Sequence, residues 1–536
     1  MDATSDFDVI VVGSGPSGVH AADEAISTGL RVALVDIGYS NTKYDRLIPR
    51  RGFSDIRRSD PNQRQYFFGE DRERCFRSQS RAGSHLTPAR EHMIQNMDEI
   101  FPLSSKSFSP LQSTGMGGLG ISWGANCFVL EKPELDQIGL PADEMRDYYI
   151  ETAKHVGVSG RMDDALSSRI AHLDPDVVQP PLQLDSNAET LMSRYQRKQE
   201  QFLSQGFYLG QSLLAVLSQP AGAREANAYW DMDFWGDVGR SVYRPHFTLE
   251  HIAQKENFVH LPGLLALSFY ESQGFATLVC REINGGNLRR LTGRKLLLAA
   301  GALNSGKLAL ASAEDCFTRL PLLCNPNHWI AAINLFMLGR RARDERHSLS
   351  QLTALMETGS AGRGYVLAQF YSYRSLLFSR LLASMPLPPK LGLHFLRLTG
   401  TALTMINVHF PDWPSEQRWI KLRQDGSLEA ECSWAKEETT WLRQQERRIL
   451  RHVLQLGCAP LSIARPKHGA SIHYAGTLPY SSDERPFTTD RNGRLHGRRR
   501  VYVADASSWR FMPAKGLTFT LMANARRVAR KALTDL

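Results

Sequence analysis

The sequence lacks any run of about 18 apolar residues, and this absence argues against a transmembrane helix. It has no Cys-x-x-Cys pair, and its 7 cysteines form an odd set. That usage favours reduced thiols in a cytoplasmic protein over a disulfide framework or a zinc site, so no metal is expected. It also lacks a recognisable DNA- or RNA-binding motif, so nucleic acid is not an expected partner. No basic-then-apolar leader precedes the first apolar stretch, and we therefore expect no secretory signal.

What the chain does have is the composition of a folded protein, with 42% hydrophobic and 22% charged residues. Its 536 residues exceed what one ordinary core organises, so two domains, consecutive or intertwined, are expected. The 64 basic residues outnumber the 55 acidic ones and give a net charge of +9. This excess favours acidic partners such as phosphate groups or anionic lipid surfaces.

The N-terminal stretch begins with the pattern of a strand–helix–strand unit. Five of the six residues from Phe7 to Val12 are apolar and most of these are β-branched, which predicts a buried parallel strand. A helix is predicted over 19–28 and a second strand over 31–35, with Asp36 at its end. The turn between the first strand and the helix supplies six candidate ligand-binding residues: Gly13, Ser14, Gly15, Pro16, Ser17 and Gly18.

The glycines of this turn have the spacing G-x-G-x-x-G. Gly13 allows a tight turn, Gly15 lets the backbone approach a pyrophosphate, and Gly18 lets the helix pack on the strand. The helix N-terminus then faces the phosphates, and Asp36 can accept hydrogen bonds from a ribose. We predict a dinucleotide site here; the alternative is a glycine turn in some other α/β domain.

Residues 41–112 are polar, rich in arginine and serine, and have little periodicity, as in the stretch from Asp71 to Arg77. They are interpreted as a long excursion between cofactor-binding elements, either a lid over the site or a solvated surface loop. A second glycine-rich stretch follows from Gly115 to Asn126, with four glycines in six residues. It lets backbone amides crowd around something flat or anionic, although a plain glycine turn is the alternative.

The middle of the chain gives weaker signals. The aromatic cluster over 229–235 is interpreted as core, and 258–298 as a β-meander that returns to the nucleotide-binding part. The apolar block from Tyr365 to Leu398 is broken by arginines, lysines and prolines. This mixture suits an interfacial segment on an anionic bilayer, while a pair of core helices is the alternative. A strand is predicted over 402–410 and a charged structural helix over 435–456.

The C-terminal part is informative again. A polar loop contains His473, a short strand ends in the carboxylate of Asp505, and a helix is predicted over 517–533. The start of that helix, with Lys515 and Gly516 just before it, can point backbone amides at a ligand.

Together these motifs resemble the glucose–methanol–choline (GMC) family of flavin oxidoreductases. One such motif alone would be weak, but five occur in the family's order. The glycine-rich loop is most similar to the pyranose oxidase and sugar dehydrogenase branch. The motifs are the turn at Gly13, the loop Gly115 to Asn126, Ala299 to Asn304, His473 to Thr477, and Val503 to Asp505 running into Thr518 to Ala523.

The resemblance implies FAD as the cofactor. The turn at Gly13 would hold the pyrophosphate, Asp36 the adenosine ribose, and Thr518 would stabilise negative charge at the N1–C2=O edge of the flavin. Some pyranose oxidases carry the flavin on a histidine just before the loop tryptophan. Ser122 stands there, so non-covalent FAD is expected. The other implied cofactor-binding residues are Gly117, Gly118, Trp123, Gly124, Asn126, Ala266, Ala300, Asp505 and Ala506.

His473 stands where the family has its catalytic base. A neutral imidazole can take the hydroxyl proton while hydride leaves the same carbon. The family usually has a second histidine or asparagine in the loop before the last helix. The aligned residue here is Gly516, which has no side chain, so Lys515 beside it is the candidate supporting charge.

The predicted fold class is α/β, with a Rossmann-like FAD-binding domain over 1–160, 241–315 and 465–536. It is interleaved with an α+β substrate domain of the p-hydroxybenzoate-hydroxylase-like type over 161–240 and 316–464. We expect a cytoplasmic enzyme that oxidises a CH–OH group of a sugar, glycoside or glycosylated intermediate. The segment 365–398 suggests peripheral contact with the inner face of the membrane. The alternatives are a flavin-binding protein with lost turnover and a reductive or isomerising role on a lipid-linked glycan.

Overall fold

The computed structural model describes residues 5–44, 46–69, 87–170, 173–237, 239–272, 274–340, 345–359, 364–372, 374–375, 388–534 and 536. Two predicted features lie partly outside these residues. The stretch Asp71 to Arg77 of the predicted lid is one, and residues 376–387 of the predicted interfacial segment are the other.

A seven-stranded sheet forms the first layer of the fold. Its central strand, Phe7–Val12, lies parallel to Val32–Val35 on one side and to Leu288–Leu298 on the other. Residues 9–12 of this strand are buried, as the sequence pattern predicted, because their alternating side chains pack against helices on both faces of the sheet. The remaining strands are Phe258–Leu261, Leu264–Ser272, Phe275–Glu282 and Val501–Val503.

The strand Leu288–Leu298 joins two kinds of pairing. Its first half is antiparallel to Phe275–Glu282, which continues the β-meander, and its last three residues are parallel to Val501–Val503. The helix Pro16–Ile26 follows the central strand and packs against the last helix, Thr518–Leu533. Arg526 and Arg530 of that last helix bind acidic residues of the first helix, at 2.6 Å to Asp23 and 2.7 Å to Glu24.

A six-stranded antiparallel sheet forms the second layer. One face of it is covered by the helices Lys436–Gln455 and Ser186–Arg197, whose apolar residues share a core with Ile330, Ile406 and Val408. The opposite face is more polar and turns toward the seven-stranded sheet. The strands, in spatial order, are Cys458–Ala464, Asn327–Asn334, Leu403–His409, Tyr365–Tyr371, Leu352–Glu357 and Phe207–Gln211.

Three small sheets link these layers. The strands over 103–104, 320–321, 418–422 and 428–432 form one, those over 323–324 and 474–475 a second, and those over 158–159 and 178–179 a third. All strands of the seven-stranded sheet fall inside the predicted FAD-binding segments, and all strands of the six-stranded sheet fall inside the predicted substrate segments. The first small sheet, however, pairs the strand over 103–104 of the predicted FAD-binding segments with strands of the predicted substrate segments. The domain boundaries therefore stay a prediction.

The remaining helices cover the outside of the sheets. Among the described residues, no helix is long and apolar enough to span a membrane. The aromatic cluster predicted as core is confirmed in part, since Phe234 is fully buried and Trp235 is 9% exposed, whereas Tyr229 and Trp230 are half-buried at its edge. The remaining α-helices of the described residues are Phe53–Ser59, Gln63–Phe68, Met97–Ile100, Lys132–Ile138, Ala142–Val156, Gln199–Ser204, Pro245–Ile252, Ala302–Ser312 and Pro389–Thr399.

The block from Tyr365 to Leu398, predicted as interfacial, begins with a strand of the six-stranded sheet. Its first seven residues are a strand inside the six-stranded sheet, where pairing on both edges and burial remove them from any surface. Among the described residues of this block, the helix Pro389–Thr399 keeps the amphipathic character of an interfacial segment, with Leu391 and Leu398 exposed.

Candidate active site

A cavity of about 1320 Å³ lies between the two large sheets. One wall, here called the cofactor wall, consists of the turns and helix starts at the ends of the seven-stranded sheet. The other, here called the substrate wall, consists of the polar face of the six-stranded sheet. The predicted residues that line this cavity are Gly13, Ser14, Gly15, Pro16, Ser17, Asp36, Gly118, Ser122, Trp123, Gly124, Asn126, Ala266, Ala300, His473, Asp505, Ala506 and Thr518.

The turn at Gly13 has the geometry of a phosphate-binding loop. Gly13 has a φ of +102°, and a Cβ there would lie 2.6 Å from the Ala299 carbonyl oxygen. A Cβ on Gly18 would lie 1.8 Å from the Gly13 oxygen, so the helix packs on the strand at this glycine, away from the cavity. At Gly15, the N-cap of the helix, an added Cβ would meet no described atom within 4 Å. It would therefore project into the space a ligand would fill.

The second glycine-rich loop packs against this turn. Gly117 N–H donates to Ser14 Oγ over 2.8 Å, and Ser14 Oγ donates in turn to Asp36 Oδ2. A Cβ on Gly118 would lie 3.2 Å from the Gly15 Cα. Gly118 therefore allows the second glycine-rich loop to approach the turn at Gly13 closely. Gly117 itself does not line the cavity, whereas Ser122, Trp123 and later residues of the loop do.

Two carboxylates stand on the cofactor wall, with Asp505 buried and Asp36 half-buried. Burial raises the pKa of Asp36 to about 7, although the Ser14 hydrogen bond opposes the shift. Burial also raises the pKa of Asp505. Asp505 accepts hydrogen bonds from Gly301 N at 2.8 Å and from Ser305 Oγ at 2.6 Å. It thus joins the last strand to the turn before the helix Ala302–Ser312, at the edge of the cavity.

His473 lies where the two walls meet. Its Nδ1 is 3.3 Å from Asn325 Oδ1, and the Asn325 amide nitrogen donates to the carbonyl oxygens of Phe410 and Pro513. Because that amide is fixed with its oxygen toward the ring, Nδ1 must carry the hydrogen and Nε2 the lone pair. Burial lowers the pKa of His473 to about 4, so the ring is neutral at pH 7 and can accept a proton.

The substrate wall is a grid of side chains from three neighbouring strands. Asn327 and Leu367 flank His409 in one row, and Trp329 and Gln369 flank Asn407 in the next. Alternate residues of a strand point to the same face, so these side chains all line the cavity. Met405 and Tyr371 continue the grid in a third row.

Lys515 does not support the reaction centre, which corrects the sequence-based expectation. Its side chain is fully buried and binds Glu134 Oε2 at 2.6 Å and the Arg169 carbonyl oxygen at 2.7 Å. Lys515 is absent from the cavity lining, and it anchors the loop before the last helix instead. Gly516 does line the cavity, and a Cβ there would lie 3.3 Å from Phe128 Cδ2.

Sequence reasoning missed Asn325 and the residues of the substrate wall. The available signal was the alternation of Met405, Asn407 and His409 within a predicted strand. That signal indicates a polar face but does not say what the face meets. None of the described residues forms a histidine, cysteine, aspartate and glutamate cluster suited to a metal ion.

The residues of the cofactor wall fit FAD. The open space beside Gly15 suits a pyrophosphate, and Asp36 at the end of the second strand suits a ribose. The N-terminus of the 16-residue last helix, at Thr518, borders the same cavity and offers unpaired amides to negative charge.

Fold and site together define an FAD-dependent oxidoreductase. Residues 424–525, which include His473, Asp505 and Thr518, match the family model described as GMC oxidoreductase. This match confirms the resemblance to the glucose–methanol–choline family, whose members oxidise alcohol-type substrates with FAD. No curated protein matches the sequence significantly.

Two solved structures have the same fold over nearly the whole chain. Pyridoxine 4-oxidase from Mesorbium loti is similar with a TM-score of 0.57 and 14% identity, covering 98% of each chain. A variant of formate oxidase from Aspergillus oryzae RIB40, studied for its effect on FAD modification, is similar with a TM-score of 0.62 and 11% identity, covering 99% of each chain. At these identities the likeness supports the predicted fold class.

Proposed function

We propose that this protein oxidises a CH–OH group of a sugar or of a glycosylated compound to a carbonyl, with non-covalent FAD as the cofactor and His473 as the base. The observation that carries this proposal is the state of His473. Its hydrogen is held on Nδ1 by Asn325, and its unprotonated Nε2 belongs to a ring that lines the cavity between the cofactor wall and the substrate wall.

The proton and the hydride of the substrate go to different places. The hydroxyl proton passes to Nε2 of His473, while the O–H bond electrons form the carbonyl π bond. Bound FAD would accept the hydride from the same carbon. Because Asn325 fixes the ring orientation, the base is positioned before the substrate arrives, which removes an entropic cost from the reaction.

The substrate wall supports a sugar as the substrate class. The amides of Asn327, Gln369 and Asn407 each offer both donors and acceptors, which suits neighbouring hydroxyl groups. Trp329 and Tyr371 add aromatic surface, with ring centroids 6.1 Å apart, against which the C–H face of a sugar ring can pack. A simple short alcohol would leave most of these amides unpaired, at a cost in binding free energy.

Non-covalent attachment is proposed because Ser122, a hydroxyl, stands at the position before the loop tryptophan. Acid precipitation of the purified protein should release all of the flavin into the supernatant. Flavin that stays with the pellet would contradict this part of the proposal.

The decisive experiment is anaerobic mixing of the purified yellow protein with a panel of hexoses, pentoses and methyl glycosides, with ethanol and benzyl alcohol as controls. We expect the flavin absorbance near about 450 nm, a general property of oxidised flavin, to bleach with at least one sugar and not with ethanol. A flavin reduced only by the simple alcohols would overturn the sugar assignment. A flavin that no alcohol reduces would favour the lost-turnover alternative or a reductive role.

A further inference from the structure

We propose that the substrate is a glycoside with an apolar aglycone, and that Met405 and Tyr371 of the substrate wall determine this specificity by contacting the aglycone. This inference rests on the proposed oxidation of a sugar or glycosylated compound, and it narrows the class of that compound. It concerns the third row of side chains on the six-stranded sheet, the row that lies farthest from His473.

The register of three neighbouring strands gives a scale for the distance from the base. The first row contains His409, whose ring centroid lies 5.1 Å from that of His473, so the carbon to be oxidised belongs beside this row. The second row contains Asn407, and the third contains Met405 with Tyr371 directly opposite. At about 3.3 Å per residue, the third row lies roughly 13 Å from the first. A single pyranose ring is shorter than this distance, so a monosaccharide at the base would not cover the third row.

The chemical character of the wall changes from the second row to the third. The second row offers the amides of Asn407 and Gln369 beside the indole of Trp329, which suits the hydroxyl groups and the C–H face of a sugar. In the third row, Met405 presents a thioether, which is at most a weak acceptor. The Tyr371 hydroxyl lies 3.1 Å from Gln369 Oε1, so its polar end is bound to the second row. The third row therefore offers mainly apolar surface to a ligand.

The opposite side of this space is apolar as well. A Cβ on Gly124 would lie 3.9 Å from the Tyr371 hydroxyl oxygen, which places the second glycine-rich loop beside the third row. Trp123 of that loop lines the cavity, and its indole N–H donates to the Tyr243 carbonyl oxygen over 2.8 Å. Met405 and Tyr371 belong to one apolar cluster, against which Trp123 packs. Met405 is 8% exposed and Trp123 is half-buried, so both present accessible surface to the space between them, here called the apolar slot.

The apolar slot favours an apolar occupant. Removal of apolar surface from water is favourable roughly in proportion to its area. A monosaccharide would leave the slot in contact with water, whereas a phenyl or alkyl group on the glycosidic oxygen would fill it while the sugar stays beside the amides of the second row. A second sugar residue would bring hydroxyl groups to a surface that offers them few hydrogen-bond partners. Both points favour a glycoside with an apolar aglycone over a monosaccharide or an oligosaccharide.

The first test measures binding at equilibrium and needs no reaction. Holoenzyme is titrated with the methyl and phenyl glycosides of glucose, galactose and xylose, and binding is followed through the change in the flavin absorbance spectrum. We expect at least one phenyl glycoside to bind about 10–100-fold more tightly than its methyl counterpart, because the phenyl ring enters the apolar slot. Equal dissociation constants in every pair, or no binding of any phenyl glycoside, would overturn the proposal.

Variants of the third row test whether this preference arises in the apolar slot. Met405→Gln keeps the length of the side chain but adds an amide, and it should reduce the ratio of the methyl to the phenyl dissociation constant to within about threefold. Met405→Leu keeps an apolar side chain and should retain the ratio. Tyr371→Gln should reduce the ratio as Met405→Gln does. The dissociation constants of the methyl glycosides should change little in the Met405 variants, because the sugar contacts the second row.

Ile406→Val is the matched control. Ile406 is the next residue of the same strand, but it is fully buried on the opposite face, in the core beneath the helices. Its ratio should match that of the wild type, and an equal loss of preference there would overturn the proposal. Flavin content and the visible spectrum should be unchanged in Met405→Gln. A loss of bound flavin in that variant would mean that the slot holds the flavin itself, which would also overturn the proposal.

Reduction of the flavin separates this inference from the proposed function. Under anaerobic conditions, the phenyl glycoside that binds most tightly should reduce the flavin at lower concentration than its methyl counterpart, with a similar limiting rate, because the aglycone is remote from the reacting carbon. Reduction by free sugars or methyl glycosides but by no phenyl glycoside would overturn the inference and leave the proposed function intact. If no sugar or glycoside reduces the flavin, the proposed function fails, whereas the equilibrium titration still decides whether the slot binds an apolar group.

Discussion

The two walls of the cavity are built in opposite ways. The cofactor wall uses main chain: glycines bring two loops together and leave space beside Gly15, and helix N-termini face the cavity. The substrate wall uses side chains on regular strands, where the main chain is already paired within the sheet. The difference teaches that a substitution should act through shape on the cofactor wall and through chemistry on the substrate wall.

The largest effect on FAD binding is expected from a substitution at Gly15, which tests directly whether the cofactor wall acts through its shape. Gly15→Val should abolish FAD binding, because the side chain would enter the pyrophosphate space, yet the protein should still fold since the Cβ meets no described atom within 4 Å. Flavin absorbance and circular dichroism measure the two properties. Gly18→Val is the contrasting variant and should lose the fold itself, since its Cβ would lie 1.8 Å from the Gly13 oxygen. A Gly15→Val protein that binds flavin normally would contradict the assignment of this turn.

The next effect is expected at His473. His473→Ala should slow flavin reduction by about 10²–10⁴-fold, the usual contribution of a general base, and leave the flavin bound. Stopped-flow bleaching under anaerobic conditions gives the rate, and the visible spectrum gives the flavin content. An unchanged rate would place the proton acceptor on another residue.

Flavin reduction through His473 and FAD binding through Asp36 should depend on pH in different ranges. Burial lowers the pKa of His473 to about 4, below the value of about 6.5 that an unshifted histidine has. The flavin-reduction rate should therefore rise through pH 4 and stay level from about pH 6 upward. By the same shift, the unfolded chain binds more protons than the folded one between about pH 4 and 6.5. The stability that neutral His473 contributes is present above this window and lost as the pH falls through it.

FAD binding through Asp36 should respond to pH in a different window, near pH 7. The pKa of about 7 in the protein without ligand means that the Asp36 carboxyl group is partly protonated near neutral pH. Ribose hydroxyls donate hydrogen bonds to the carboxylate form, so FAD binding would release the proton from Asp36. FAD affinity should then increase up to about tenfold per pH unit below 7 and level off above it. Titration of the apoprotein with FAD at several pH values checks this slope, and Asp36→Asn should flatten it. Affinity that is independent of pH in the wild type would remove Asp36 from the ribose site.

The smallest effect is expected at the helix Pro389–Thr399, which belongs to neither wall. Leu391 and Leu398 are 56% and 77% exposed there, and Lys390 adds positive charge, so we propose weak binding to an anionic bilayer. Leu391→Glu with Leu398→Glu should abolish co-sedimentation with phosphatidylserine vesicles and leave flavin content and reduction rate unchanged. Absent or salt-insensitive co-sedimentation of the wild type would remove this idea.

The two walls also differ in how far the sequence predicts them. The turn at Gly13 and the stretch from Ser122 to Asn126 are contiguous motifs, so their position at the cavity could be predicted before the fold was known. His409 and Asn407 reach the cavity through the pairing of strands that are about 80 residues apart in sequence, and no local pattern encodes that register. Lys515 was predicted as a site residue from its neighbour Gly516, but its partner Glu134 lies in a distant segment.

The order of the strands in the seven-stranded sheet has a consequence for biosynthesis. One of the two neighbours of the central strand, Phe7–Val12, is synthesised only when the ribosome reaches Leu288. The last strand of the sheet begins at Val501. At about 5–20 residues per second, a ribosome needs on the order of half a minute to two minutes to make the chain between the first and last of these strands. Meanwhile the central strand can pair with Val32–Val35, but its other edge stays unpaired and can aggregate. FAD cannot be captured until the C-terminal segment has emerged, so cofactor supply after chain release should limit the yield of active protein in expression.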